Sequence, residues 1–526
     1  MQTLIDKLKA ARAVSTPLLA ITTPDQPAMA QEIAEKLNGT TPVVGWDRAR
    51  GFHYLSDAGR NVLDEICKNP KFRDITKETM ADITADPASA MRIAIDFPKH
   101  TVFVAHSMDR FLNEHGAGET VQAVLNLRDA YKNDQRTLVM LSPDFTLPSE
   151  IQHDVIVLDD PLPEDDSYGQ IITGLYESAG LKEPDKKLTK SVVRSVRGLS
   201  SFEAEQVIAM SLAMGDGTGI DLGDAWKMKK EAVRKIKGMS MKYDEPDDPD
   251  ISDLKGLDSI IASLTRLQNG PMAAELYVRV DEIDKALAGL GQEGGASDNT
   301  GVSQDLHEQF LKNMEDNGWT GYILVGVRGS GKTVLTQSVG KAFGIPTITM
   351  DTGAMKSERL GASERAFRDA FRTIRGIGGN RVCVLATCNR LSVLPPELLR
   401  RFKRGTWYFD VLTKEERDAL WPVYLKKYGL PLDSELPDDT DWTGAEIRNC
   451  CEIAYADQTT VKEIGKDVIV PITRSNRESV ERMRQEADNN FLSASYPGSY
   501  KSRQFESVST KGKRKLAIKS GGESVN

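Results

Sequence analysis

Gly326-Val-Arg-Gly-Ser-Gly-Lys-Thr333 fits the pattern G-x4-G-K-S/T. It follows the apolar run Tyr322-Ile-Leu-Val325 and leads into Val334-Leu-Thr-Gln-Ser-Val-Gly-Lys-Ala-Phe343, so its context is strand, loop, helix. Phosphate chemistry needs that order. Gly326, Gly329 and Gly331 let backbone N–H groups approach phosphate oxygens, and Ser330 and Val334 complete the cradle at a helix start that adds its positive dipole end. Lys332 is placed to reach the β- and γ-phosphates of a nucleotide, and Thr333 to ligate Mg²⁺. The bland alternative is a chance glycine-rich turn, which the flanking strand and helix argue against.

A phosphate loop of this kind works with an acidic strand end that holds the metal and activates water. Downstream, the strand-like Arg381-Val-Cys-Val-Leu-Ala-Thr-Cys-Asn-Arg390 ends in Asn. Upstream, Glu275-Leu-Tyr-Val-Arg-Val-Asp-Glu-Ile-Asp284 reads as a strand ending in Asp281-Glu282. The order is therefore acidic strand, helix (302–316), loop strand, then the rest of the sheet. Parallel strands present their C-termini along one edge whatever their chain order, so Asp281 and Glu282 are expected to face Lys332 from the slot beside the loop strand. This reads as a circularly permuted nucleotide-binding core. The alternative is that the two acids only open a helix as favourable N-terminal charges.

Around this core, 526 residues predict about three units. Apolar residues at 40% and charged residues at 28% are those of a folded globular chain. The formal charge of −9, from 68 basic and 77 acidic residues, gives no global attraction to nucleic acid or an anionic membrane. Five cysteines without CxxC spacing and six scattered histidines offer no metal-ligand pattern, and no apolar run approaches the ~20 residues of a membrane span. The expectation is a cytoplasmic protein with no membrane partner. Apolar β-like runs at 18–23, 42–46, 101–105, 137–141 and 154–158 alternate with helical stretches, which implies a first α/β domain over 1–165. A helical subdomain is expected at 166–240. Asp244-Glu-Pro-Asp-Asp-Pro-Asp250, five acids and two prolines, marks a linker at 241–250. The nucleotide-binding core is then 251–412, with a mobile glycine-rich loop at 291–301, and helices return as a lid over 413–490. Residues 491–526 are expected as a disordered basic tail, since 501–526 carries seven Lys or Arg against two Glu. Gly198-Leu-Ser-Ser-Phe-Glu and Asp441-Trp-Thr-Gly-Ala-Glu both open helices after a small polar cap, a weak echo that two copies of one architecture would explain.

Taken together, the phosphate loop, Gly361-Ala-Ser-Glu-Arg-Ala-Phe-Arg368, the strand ending Ala386-Thr-Cys-Asn389 and Leu394-Pro-Pro-Glu-Leu-Leu-Arg-Arg-Phe402 resemble the AAA+ ATPases, as does Asp253-Leu-Lys-Gly-Leu-Asp258 at the edge of their adenine pocket. The N-terminal half, with Thr101-Val-Phe-Val-Ala-His-Ser-Met-Asp-Arg-Phe111 and Arg136-Thr-Leu-Val-Met-Leu-Ser-Pro-Asp-Phe145, is similar to that of an AAA+ family first noted as an open reading frame in plastid genomes. The resemblance implies an α/β P-loop NTPase sheet with a helical lid, acting on ATP with Mg²⁺. It implies Asp281 on the Mg²⁺ side, Glu282 as general base, and Asn389 as the polar sensor of the γ-phosphate. Arg400 and Arg401 fall at the place of arginine fingers offered to a neighbouring subunit, with Arg404 as a rival; Cys450 and Cys451 read as lid core. A homo-oligomer follows, a hexameric ring or a helical assembly, coupling turnover to remodelling of a macromolecular client. A nucleotide-gated scaffold with incidental turnover is the alternative, and a DNA-associated motor, resting on the basic tail, a third.

Departures from the family matter too. Ser357-Glu-Arg-Leu-Gly361 puts Arg359 where protein-threading relatives place an aromatic residue, and Gly444-Ala-Glu446 stands where some place a sensing arginine, leaving Arg448 a weak candidate. In the first half, Thr22-Thr-Pro-Asp-Gln-Pro27 has neither glycine nor lysine, and Val102-Phe-Val-Ala-His106 ends without an Asp-Glu pair. That domain is expected to be a degenerate AAA+-like fold without nucleotide chemistry, the alternative being an unrelated α/β domain.

Overall fold

A computed structural model describes residues 3–37, 39–214, 219–287, 300–355, 362–389 and 394–503. The chain forms two compact units, Met1–Glu183 with Leu199–Ala209, and Pro184–Gly198 with Met210–Asn526. Each is built on its own sheet.

In the first unit the strands are β1 (Leu18–Thr22), β2 (Val43–Asp47), β3 (Gly51–Tyr54), β4 (Val102–His106), β5 (Thr137–Ser142) and β6 (Ile156–Asp159), in the order β3-β2-β4-β5-β1-β6. Only the β2–β3 pair is antiparallel. β1 and β5 are buried on both faces, which is why they read as unbroken apolar runs. Leu18, Phe103 and Leu138 feed one core and Ile21, Val104 and Val139 the other.

The second unit carries β7 (Met239–Lys242), β8 (Leu276–Val280), β9 (Thr320–Gly326), β10 (Thr347–Met350), β11 (Val382–Cys388), β12 (Thr406–Phe409) and β13 (Leu492–Ser493), in the order β13-β12-β9-β11-β8-β10-β7. All pairs are parallel except β7 with β10. One face packs on the helices Thr300–Asp316 and Ala362–Gly378 through Phe310, Phe367 and Phe371; the other covers itself with Asp258–Gln268 and Lys332–Phe343 through Ile260, Leu264, Leu335 and Val339. A lid of helices Lys414–Lys427, Gly444–Ala456 and Val461–Asp467 closes on Trp421, Trp442, Cys450 and Cys451.

Several expectations are corrected here. The acidic strand β8 pairs with β10 and β11, not with the loop strand β9. The two seven-residue strands, β9 and β11, lie together over six registered pairs, and this longest ladder takes the centre. The residues 166–240 do not form one subdomain: Asp165–Ser178 lies in the first unit, whereas Lys186–Val196 and Leu222–Arg234 lie in the second, joined by buried Lys229 donating to the Arg194 carbonyl at 2.9 Å. The acidic stretch is fastened to its unit rather than free. Met241 and Lys242 end the edge strand β7, Lys242 pairs with Asp248, Lys230 with Glu245 at 2.8 Å, and Lys341 donates to the carbonyls of Pro246 and Asp248. Lysines thus neutralise the acids that composition alone reads as solvated. Residues 491–503 of the expected tail are packed, with β13 on β12 and buried Tyr500 donating to Asp410 at 2.7 Å. The rest of that tail lies outside the described residues, as do 357–361 with Arg359 and most of the loop at 291–301. Among the described residues no helix is long and apolar enough to cross a membrane.

Candidate nucleotide-binding site

The loop between β9 and the helix Lys332–Phe343 is shaped by its glycines. Gly326 (φ +148°) passes so close to β12 that a Cβ would sit 2.1 Å from the Phe409 carbonyl oxygen, and at Gly329 (φ +81°) it would sit 2.7 Å from Thr443 Oγ1 of the lid. The helix starts at Gly331 with no side chain capping it, so its first N–H groups face the loop without a side-chain acceptor. Lys332 is buried and folds back, its Nζ donating to the carbonyls of Gly326 (2.7 Å) and Val327 (2.9 Å); Ser330 Oγ donates to Val327 O at 2.7 Å. Burial pushes the Lys332 ammonium down to about 8.

Along the same sheet edge, β8 and β11 deliver the polar groups. Asp281 Oδ2 accepts from Arg279 Nε at 2.8 Å and from its Nη2, and Thr387 Oγ1 donates to Asp281 Oδ1 at 3.3 Å. The same Thr387 oxygen accepts from the backbone N of Glu282 at 2.9 Å. Glu282 sits in a left-handed conformation (φ +52°) before the short helix Ile283–Ala286; its carbonyl accepts from Lys285 N at 2.8 Å, but its side chain makes no capping hydrogen bond. Its carboxylate instead accepts from Asn389 Nδ2 (3.2 Å) and from Lys285 Nζ (2.6 Å). Glu282 thus stands at the start of the helix Ile283–Ala286 with its carboxylate turned to Asn389 and Lys285. Asn389 is fixed in turn by its backbone N donating to buried Asp284 at 3.3 Å.

A cavity of about 650 Å³ joins these parts. Asp281, Glu282, Gly329, Ser330, Gly331, Lys332, Thr333, Val334, Thr387 and Asn389 form its polar wall; Leu254, Leu257, Leu420, Val423 and Tyr424 form an apolar wall, with Ala445 and Arg448 from the lid. The lid is tied directly to the loop, Ala445 N donating to Gly329 O at 3.2 Å. The volume suits a small ligand held by an apolar body and a few convergent polar groups. The donor set also fits MgATP: an open helix start with a buried cation for phosphates, and a hydroxyl and a carboxylate for a hard divalent ion.

Arg400 and Arg401 are not brought to this cavity. They end the helix Pro396–Arg401, where Arg400 is exposed and Arg401 pairs with Glu315 at 2.8 Å. Arg448, weak as a candidate from the sequence, does line it. Thr387 and Arg279 escape sequence reasoning; the available signal was a polar or charged side chain inside an otherwise apolar strand.

In the first unit the corresponding edge is closed by its own side chains. The helix Gln26–Lys36 after β1 is capped by Asp25, whose carboxylate accepts from Ala28 N at 3.1 Å. After β4, Ser107 adopts the left-handed conformation that Glu282 has after β8 (φ +56°), and its N donates to Gln26 Oε1 at 2.8 Å. His106, beside it, is pushed down to about 4 by burial and by neighbouring His53.

Comparison with known proteins agrees with this division. Residues 2–159 match the SpoVK-like AAA ATPase N-terminal domain, and residues 322–378 match the ATPase family associated with various cellular activities. The second unit thus carries an AAA domain with a P-loop NTPase fold. Over most of its length it is similar to proteins described as uncharacterized AAA domain-containing protein ycf46: that of Guillardia theta is 21% identical over 482 residues (80% of this chain, 85% of that protein), and that of Trieres chinensis 21% over 453 residues (75% and 80%). A protein named SAV from Sulfolobus acidocaldarius is 25% identical over 335 residues, 51% of this chain and 41% of its own length.

Proposed function

We propose that the chain is an ATPase that binds MgATP in the second unit and hydrolyses it at subunit interfaces of a homo-oligomer, a hexameric ring or helical assembly, to remodel a macromolecular partner. The observation that carries this is the convergence of an uncapped phosphate-loop helix, Asp281, Glu282 and Asn389 on one cavity. Gly326, Gly329, Ser330, Gly331, Lys332 and Val334 hold the phosphates. Thr333 and Asp281 hold Mg²⁺, which when bound draws charge from the phosphate oxygens. Glu282, oriented by Asn389, takes the proton of the attacking water as its oxygen bonds to the γ-phosphorus and the bond to the bridging oxygen breaks, leaving ADP and inorganic phosphate. Arg400 and Arg401, absent from their own cavity, act on the neighbouring subunit's nucleotide. We read the core as circularly permuted: β8 precedes β9 in the chain, yet occupies the slot that β4 occupies in the first sheet.

One observation favours the second reading, a nucleotide-gated scaffold with slow turnover. Both carboxylates are engaged by cations of their own chain, Asp281 by Arg279 and Glu282 by Lys285. The deciding measurement is phosphate release alongside nucleotide titration for wild type and Lys332→Ala. Loss of both binding and turnover is expected, because the β/γ-phosphate charge is left uncompensated; undiminished ATP affinity in the variant would remove the phosphate-loop reading.

A further inference from the structure

The phosphate-loop pattern leaves residue 328 open, and this chain fills it with arginine. Arg328 is exposed, between Val327, whose carbonyl is taken by Lys332 and Ser330, and Gly329, whose carbonyl is taken by Ala445. A second cavity of about 410 Å³ adjoins the nucleotide cavity, and the side chains common to both walls are Lys285, Arg328 and Asn389. Asn389 donates to Glu282, so this junction lies beside the carboxylate assigned to activating water. Lys285 is already spent on Glu282 at 2.6 Å. Arg328 makes no ion pair and no side-chain hydrogen bond among the described residues. A guanidinium offers five donors in a planar fork suited to a phosphate's oxygens, and here all five are unclaimed among the described residues.

We propose that Arg328 is a ligand of the terminal phosphate of the bound nucleoside triphosphate, so that the loop itself distinguishes triphosphate from diphosphate. The inference rests on the nucleotide reading above. Lys332 reaches the phosphates by leaving two loop carbonyls, whereas Arg328 gives up no protein partner. Its contribution therefore falls on the γ-phosphate, the one group that ADP lacks, and part of the charge stabilisation otherwise asked of a neighbouring subunit is present in the same chain.

The test titrates the full-length chain with Mg·ADP and with Mg·adenylyl-imidodiphosphate, comparing wild type, Arg328→Gln and Arg328→Lys. Arg328→Gln is expected to weaken the triphosphate analogue by about tenfold or more, the scale of a lost charge-assisted pair, while ADP affinity moves by less than about twofold. Arg328→Lys is expected to recover part of the loss. Retained ADP affinity also reports that the variant's site is folded. Equal weakening of both ligands, or unchanged preference, would overturn the role of Arg328 with the nucleotide site intact. Failure of the wild type to bind either ligand would overturn the nucleotide reading and this inference with it.

Discussion

Nucleotide affinity should be flat below about pH 8 and fall above it, because of where Lys332 sits. Its side chain is 7% exposed, and burial lowers its ionisation from 10.5 to about 8. Desolvation wins even though the ammonium donates to two carbonyls at 2.7 and 2.9 Å and has Asp284 and Glu282 nearby. A gap of about 2.5 pH units is roughly 3 kcal/mol favouring the neutral amine over its solvated reference. Phosphate binding needs the ammonium and, once in place, holds the proton to higher pH. Above about pH 8 each bound nucleotide must therefore bring a proton with it, and affinity drops by up to about tenfold per pH unit. Stability of the nucleotide-free protein runs the other way. With the folded ionisation below the unfolded one, the unfolded chain holds more protons between about pH 8 and 10.5, so stability rises with pH across that window. Calorimetric titration of Mg·ADP from about pH 7 to 10, in buffers of different ionisation enthalpy, reads both affinity and proton uptake. Constant affinity without proton uptake across that range would refute the argument.

Three further outcomes are expected. Glu282→Gln should keep ATP binding and assembly while phosphate release falls by ~10² or more; wild-type turnover would remove Glu282 as base and direct attention to Asp351. Arg400→Ala or Arg401→Ala should lower turnover with nucleotide affinity nearly intact and thermal stability almost unmoved, since the half-exposed Arg401–Glu315 pair contributes under about 1 kcal/mol; if neither slows turnover, Arg404 is tested next. Equilibrium binding should saturate at one nucleotide per chain, because Asp25 already occupies the helix start of the first unit; two per chain would contradict that.

What the sequence makes legible is what hydrophobicity and backbone chemistry write locally. The buried parallel strands stand out as apolar runs, and the phosphate loop as glycines placed before Lys332. Asp281 and Glu282 are findable because a strand apolar but for Arg279 turns acidic after Val280. The slot of β8 is not local: it is decided by the long ladder between β9 and β11, whose partners lie far apart in sequence. For the same reason the acidic stretch misleads, since the lysines that neutralise it come from the helix Leu222–Arg234, from β7 and from the helix Lys332–Phe343. Tyr500 reads as tail until Asp410, which also accepts from Arg484 at 2.8 Å, supplies a buried partner. Thr387 is silent because a threonine suits any strand; only the placement of β11 against β8 lets one hydroxyl serve both carboxylate residues.

The two sheets separate the demands of fold from those of chemistry. Setting aside the antiparallel edges and β13, β6-β1-β5-β4-β2 and β12-β9-β11-β8-β10 are the same sequence of slots, although β4 follows β1 in the chain and β8 precedes β9. What the inner slots require is apolar strands buried on both faces, and both units supply them there, while β6 at its edge is largely exposed. Chemistry requires that the sheet's C-terminal edge be left unsatisfied, because a helix start, a carboxylate and an amide can act on a ligand only if the protein does not saturate them. In the first unit Asp25 caps the helix and Gln26 takes the Ser107 N–H. In the second the helix starts at an uncapped glycine, while Lys332 and the two carboxylates are held by partners that a stronger ligand can displace. Closing the first edge stabilises that unit; an edge left open in the second costs local stability that a bound nucleotide would return, so phosphate binding should stiffen the loop and, through the Ala445 contact to Gly329, the lid helix that begins there.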